Sequence, residues 1–193
     1  PDYTIPAQTP FDLTAAGGDP DGDPVTYCWE ERDLGPAAVL GAADDGQIPL
    51  FRSYPPTTDS RRTIPRLPDL LNNVTNKAEK LPTTSRIMDF RVTARDNFAG
   101  GGAFTVDDMQ ITVAATAGPF RVTFPNTAVN LSAATTVTWT VANTDVAPVS
   151  TPNVNILLSV DSGFTYAFVL AADTPNDGSQ TVALPSVFST TSR

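Results

Sequence analysis

The 193-residue chain predicts an all-β fold made of two tandem antiparallel β-sandwiches, the first with a long proline-rich insertion. Three observations carry that prediction. Apolar and polar residues alternate with period two in many short runs, while helical periodicity is scarce. Each half of the chain holds one such run centred on a tryptophan, Trp29 and Trp139. Between the halves, Ala117-Gly118-Pro119 interrupts both patterns. The expected domains are therefore residues 1–117 and 118–193.

Taken in order, "FDLTAAGG" places Phe11, Leu13 and Ala15 on one face, and "PVTYCWEE" places Val25, Tyr27 and Trp29 on one face. "IMDFRVTARD" turns Met88, Phe90 and Val92 inward and Asp89, Arg91 and Thr93 outward, and "DDMQITVAA" groups Met109, Ile111 and Val113. Each reads as a half-buried antiparallel strand. In the second series "TVTWTV" alternates Val137, Trp139 and Val141 with threonines, and "VNILLSV" alternates Val154, Ile156, Leu158 and Val160. Asp161-Ser162-Gly163 then reads as a hairpin turn, "YAFVLA" as the returning strand, and "NDGSQTVALP" as a turn and a further strand.

Residues 35–85 break the strand rhythm. Prolines stand at 36, 49, 55, 56, 65, 68 and 82. A structureless loop of this length is uncommon inside a compact domain. The segment is expected to pack on the sandwich through Leu50, Phe51, Tyr54, Leu67, Leu70 and Leu71. "LPDLLNN" suits one or two helical turns with Pro68 near the first position. Arg61, Arg62 and Arg66 are expected to balance local acids rather than bind an anion.

Composition excludes several chemistries. There is no histidine, so Ser-His-Asp and Cys-His catalysis and the usual zinc ligand are missing. The single cysteine, Cys28, has no internal disulfide partner and reads as a small apolar strand residue. The net charge of -9 argues against nucleic acid and anionic membranes as partners. Seventeen acidic side chains fall in 1–117 and four in 118–193, so an acidic site belongs in the first domain. No run approaches the roughly 18 apolar residues of a membrane span. Scarce lysine and abundant threonine, valine, alanine and proline suggest an extracellular or cell-surface location. The start at "PDYTIPAQTP" and the end at "SVFSTTSR" suggest a piece of a longer protein.

The stretch "GGDPDGDPVTYCWE" sets Asp19, Asp21 and Asp23 at alternate positions. They match the first ligands of an EF-hand loop, with Glu30 at the twelfth position. The match fails physically, because the sixth position must be a glycine and here is Pro24. If the strands around 11–16 and 25–31 are B and C of an immunoglobulin-like sandwich, these aspartates lie in the B–C loop. "DNFAGGGAFTVDD" is then the F–G connection, and both loops share one end. That brings Asp96 and Asn97 towards Asp19, Asp21 and Asp23. Clustered carboxylates repel unless a cation intervenes, and hard oxygen ligands suit calcium. The competing reading is a set of Asx-turns stiffened by Pro20 and Pro24. Asp161, Asp173 and Asp177 read as turn residues.

"DPDGDPVTYCWEE" followed by "FRVTARDN" resembles PKD-type and cadherin-like bacterial domains. "PLFRSYPPTTDSRRTIPRLPDLLNN", "PTTSRIMDFRVTARDNFAGGGAFTVDDMQITV" and "GPFRVTFPNTAV" resemble the non-catalytic region of secreted bacterial reprolysin-type zinc metallopeptidases. The stretch from "TVTWTVANTDVAP" to "NDGSQTVALP" resembles a wall-protein-type immunoglobulin-like module. The resemblance implies a non-enzymatic accessory region, a calcium-stabilised spacer or substrate-engaging module. Its catalytic domain and zinc would lie outside these residues, and its second module would lack a last strand. Implied partners are other domains of the parent chain and a protein or polysaccharide substrate. The alternative is an adhesion or carbohydrate-binding module, favoured if Tyr54, Phe98, Phe104 and Tyr166 share one open face.

Overall fold

The computed structural model describes residues 2–131, 133–186 and 189–193. The chain forms two compact units, Pro1–Ala115 and Thr116–Arg193. Nearly all regular structure is β, and the one helix among the described residues is the short α1, Leu67–Leu71.

The first unit contains β1 (Tyr3–Pro6), β2 (Phe11–Thr14), β3 (Thr26–Glu31), β4 (Arg61–Ile64), β5 (Arg86–Arg95) and β6 (Phe104–Ala114). One sheet has the order β1-β6-β5-β3, and β2 pairs with β4 in a second. The long hairpin of β5 and β6 is the frame, in register from Arg86↔Val113 to Arg95↔Phe104. Its alternation delivers Met88, Phe90, Val92, Ile111 and Val113 to one core, with Leu13, Trp29 and Ile64 from the shorter strands. Phe11, Phe51 and Phe90 pack as a triad with ring centroids 6.0–6.2 Å apart, a spacing in which edge-to-face contact is favourable.

Three expectations need correction. The sandwich is not wholly antiparallel, because β1 runs parallel to β6. Thr93 does not face solvent; it is buried opposite Cys28. Nor is 35–85 simply an insertion, because β4 lies inside it and completes the β2 pair. Its remainder supplies Ile48, Leu50 and Phe51 to the core. Leu71 is also buried, while Tyr54, Leu67 and Leu70 are only half-buried. The three arginines do meet acids: Arg62 pairs with Glu79 at 2.7 Å, Arg66 with Asp69 at 2.8 Å and Arg61 with Asp12 at 3.8 Å.

The second unit contains β7 (Arg121–Phe124), β8 (Ala134–Thr140), β9 (Asn153–Leu158), β10 (Phe168–Pro175) and β11 (Ser179–Ala183). Its sheets have the orders β11-β8-β7 and β10-β9. Val137, Trp139 and Val182 form its core, flanked by half-buried Val141, Val154, Ile156 and Leu170. The tryptophan nitrogen donates to Asn176 Oδ1 at 2.8 Å, and Asn176 Nδ2 donates to Thr144 Oγ1 and the Thr151 carbonyl, each at 2.9 Å. The connection after β9 is longer than a tight hairpin, since β10 begins at Phe168 rather than Tyr166.

Candidate functional site

The register between β3 and β5 decides which loops meet. Thr26 lies opposite Arg95, so the loop entering β3 and the loop leaving β5 emerge at the same end of the sheet. Asn97 ties them together. Its Nδ2 donates to the Pro24 carbonyl at 3.0 Å, Thr26 Oγ1 at 3.1 Å and the Arg95 carbonyl at 3.1 Å. Asn97 adopts φ 54°, a left-handed conformation that asparagine tolerates well.

Each loop is also held by its own aspartate. Asp19 Oδ1 accepts the backbone N–H of Asp21 at 2.8 Å and of Asp23 at 3.1 Å. This is the Asx-turn expected of such a sequence, and Gly22 at φ 86° completes it. Asp96 accepts the N–H of Phe98 at 3.2 Å and of Ala103 at 2.9 Å, closing the β5–β6 connection. Glycine lets the connection pass close beside that carboxylate. A Cβ on Gly102 would stand 2.6 Å from Asp96 Oδ1.

The structure thus joins Asn97 to the first loop but does not draw the four aspartates into one ligand cage. Among the described residues, no three Asp, Glu or Cys side chains form a group suited to hold a metal ion. Asp19 and Asp96 instead border one cleft of about 670 Å³, whose walls include Tyr27, Trp29, Phe104 and Met109. Asp21 is exposed and Asp23 half-buried. As they stand, Asp19 Oδ1 and both Asp96 carboxylate oxygens are engaged with their own loops, and a bound cation would have to draw on other oxygens.

Three of the aromatic residues considered for a sugar-binding face, Tyr54, Phe98 and Phe104, lie in the first unit. Phe98 and Phe104 both belong to the β5–β6 hairpin, and Phe104 lies under the Arg95 guanidinium at 5.4 Å. Tyr54 lies among Arg52, Arg62 and Arg66, whose guanidinium carbons are 5.1–5.5 Å from its ring centre. Tyr166 belongs to the second unit. Cys28 is half-buried, its Sγ 3.4 Å from the Tyr54 carbonyl. Burial first, and the Glu30 charge second, push its thiol pKa up, which opposes thiolate formation at neutral pH.

Sequence reasoning missed a cluster of buried charge. Arg86 donates to Asp33 at 2.7 Å, Asp44 at 3.0 Å and the Ile48 carbonyl at 2.8 Å, with Glu31 Oε1 at 3.9 Å. Three carboxylates share one guanidinium. Burial drives the Glu31 carboxyl up to about 7, against the N–H groups of Phe51 and Leu50 that favour its ionised form. Asp44 behaves oppositely. Burial acts to raise it, but bonds from Gly46, Thr83 and Thr84 prevail and hold it at about 2. The available signal was acids embedded in apolar sequence, as in "GAADDGQIPL". In the second unit, bonds from Thr165 and Ser159 hold Asp161 at about 2, in keeping with a turn residue.

Comparison of the chain with protein-family models, with curated proteins and with solved structures gives no match.

Proposed function

We propose that this chain is a non-catalytic accessory region of a secreted or surface-bound bacterial protein, of the metallopeptidase-associated kind its sequence resembles. Its work is to space or present other domains of the parent chain to a protein or polysaccharide substrate. The observation that carries this reading is the use made of the polar side chains. Asp19, Asp96 and Asn97 secure their own loops, and the buried acids around Arg86 and Arg62 secure the 35–85 segment. Such groups are spent on holding a scaffold rather than converging on a reacting atom. The strand orders support an immunoglobulin-like reading of the first unit. There β3, β5 and β6 correspond to C, F and G, and β2 and β4 to B and E.

Calcium is part of the proposal, at the loop end formed by Asp19, Asp21, Asp23, Asp96 and Asn97. Its support is that the two loops meet at Asn97 and that Asp21 is exposed and Asp23 half-buried beside them. A ligand that binds only the folded state raises stability by RT ln(1 + [L]/Kd). For a module with Kd of roughly 0.1–1 mM, a tenfold excess of calcium gives about 1.4 kcal/mol. Thermal melts in calcium and in chelator test this, on the wild type and on Asp21→Asn. A rise of several degrees that Asp21→Asn reduces is expected. Superimposable wild-type curves across millimolar calcium leave the loop an acidic turn.

A further inference from the structure

Between β3 and the buried stretch that begins at Ile48, the first unit presents an apolar loop to solvent. Every residue from Leu34 to Leu40 is exposed. Leu34, Val39 and Leu40, at 102%, 81% and 73%, are the most exposed large apolar side chains among the described residues. Single exposed apolar residues are ordinary, but a contiguous patch of them marks an interaction surface. The loop is not loose. Arg86 holds both of its ends, Asp33 at 2.7 Å and Asp44 at 3.0 Å. Gly35 lies so close to the chain at 47–48 that a Cβ would stand 2.4 Å from the Gln47 carbonyl oxygen. Ala42 N–H closes a turn on the Val39 carbonyl at 2.9 Å, and Lys80 Nζ donates to the Gly41 and Ala42 carbonyls. The aliphatic side chains are thus displayed in a fixed arrangement, which lowers the ordering cost of binding.

Beside the loop runs a groove of about 500 Å³, with Leu34, Val39, Leu40 and Leu50 in its walls. Its charge is opposite to that of the molecule. The net charge is -9 and the chain has only two lysines, yet both of them, Lys77 and Lys80, line this groove together with Arg52. Asp33 is the one acid among the described lining residues, and it is bound to Arg86. Lys80 is engaged by the loop carbonyls. Lys77 and Arg52 are exposed, and neither forms an ion pair among the described residues. The Lys77 methylenes lie 3.2 Å from where a Cβ on Gly41 would stand, so the lysine stem adds to the apolar wall.

We propose that this loop and groove are a docking site for a segment of a partner protein that carries aliphatic side chains flanked by carboxylates. The aliphatic side chains bury Leu34, Val39 and Leu40, and the carboxylates meet Lys77 and Arg52. Charge complementarity selects that partner. An acidic molecule repels an acidic segment in general, so cations gathered beside an apolar patch direct such a segment to this place. The inference stands apart from the accessory-region reading, since it needs neither calcium nor a catalytic domain.

The test titrates the full chain with the peptide acetyl-Glu-Leu-Leu-Glu-Leu-Glu-amide and follows backbone amide shifts by NMR. One control peptide carries Lys in place of each Glu, and another carries Ser in place of each Leu. Saturable shifts at 34–42 and at Lys77 are expected with the first peptide, and binding weaker by about tenfold or more with either control. Val39→Ser combined with Leu40→Ser, and separately Lys77→Glu, should each weaken the first peptide by about tenfold or more. Both variants change exposed side chains, so the melting temperature should stay as in the wild type. Lys77→Glu should also narrow the preference for the acidic over the basic peptide. No saturable shift at the loop with about 1 mM peptide, or equal binding of the three peptides, overturns the proposal. Binding to vesicles of equimolar phosphatidylcholine and phosphatidylglycerol that the Val39→Ser, Leu40→Ser pair abolishes, with none to the acidic peptide, assigns the loop to a membrane surface and overturns the protein partner.

Discussion

Single side chains show most directly how polar groups are kept inside a thin β-structure. Trp29 is 6% exposed and donates its indole N–H to the Ser60 carbonyl at 3.0 Å. It therefore fills the core and holds the 35–85 segment at once. Trp29→Ala is expected to cost about 3–5 kcal/mol, as for a buried aromatic, measured by equilibrium denaturation. A cost below about 1 kcal/mol contradicts its role as a core anchor. In the second unit, Asn176 bridges Trp139, Thr144 and Thr151 through one amide. Asn176→Ala strands several buried polar atoms in one step. A loss of about 2–4 kcal/mol is expected, and Trp139 fluorescence should report the same transition.

At the scale of the element, the 35–85 segment is held by charge that its sequence does not advertise. Asp44 reaches across to the N–H groups of Thr83 and Thr84 at 2.7 and 2.9 Å while it grips Arg86. It closes the segment end to end. Glu31, Asp33 and Asp44 crowd Arg86, and this makes the first unit sensitive to pH. The Glu31 carboxyl titrates at about 7 when folded and at about 4.3 in an unfolded chain. Between those values the folded state holds the extra proton, so stability falls as pH rises through the window. The loss amounts to about 3 kcal/mol by pH 7. Asp44, held at about 2, acts in the opposite sense: its stabilisation is present above about pH 4 and is lost towards pH 2. Chemical denaturation from pH 3 to 8 should give greatest stability near pH 4–5 for these groups, and Glu31→Gln should flatten the fall between about pH 4.5 and 7. An unchanged slope in that variant assigns the fall to another group.

The strands that the sequence made legible share one property. β5, β6 and β9 each carry at least three apolar residues at alternate positions, and β3 and β8 carry two, one of them a tryptophan, so their faces are written locally. β1, β4 and β7 are four residues each. β4 reads Arg-Arg-Thr-Ile and is a strand only because β2 lies beside it. β1 ends on a proline and draws its pairing from β6, more than a hundred positions away. Long-range pairing of this kind overrides local propensity. The candidate site was half legible for the same reason. The loops could be placed at one end from strand order, and Asn97 does join them. That Asp19 and Asp96 would turn back on their own loop backbone depends on loop conformation, which the Asp/Gly pattern permits but does not dictate.

Over the whole molecule, the two units differ in how completely they bury apolar surface. The first collects twelve buried residues around Phe90, Met88 and Ile111; the second has three among its described residues, around Trp139. Burial contributes about 25 cal/mol for each Å² of apolar surface removed from water, so the deeper core stabilises its strands more. The first unit adds a buried ionic cluster whose acids are tied to backbone N–H groups, whereas the second relies on the Asn176 network and the short pairing of Ser159 with Arg193. Local opening is governed by such differences in buried contact. Backbone amides of β8 are therefore expected to exchange faster than those of β5, by about tenfold or more at neutral pH. Limited proteolysis should cut the second unit before the first. Lowering the pH from 7 to about 5 should widen the gap, since it relieves the Glu31 cost in the first unit alone. Equal protection of β5 and β8 would mean that the half-buried shell of Val154, Ile156 and Leu170 contributes far more than its exposure implies.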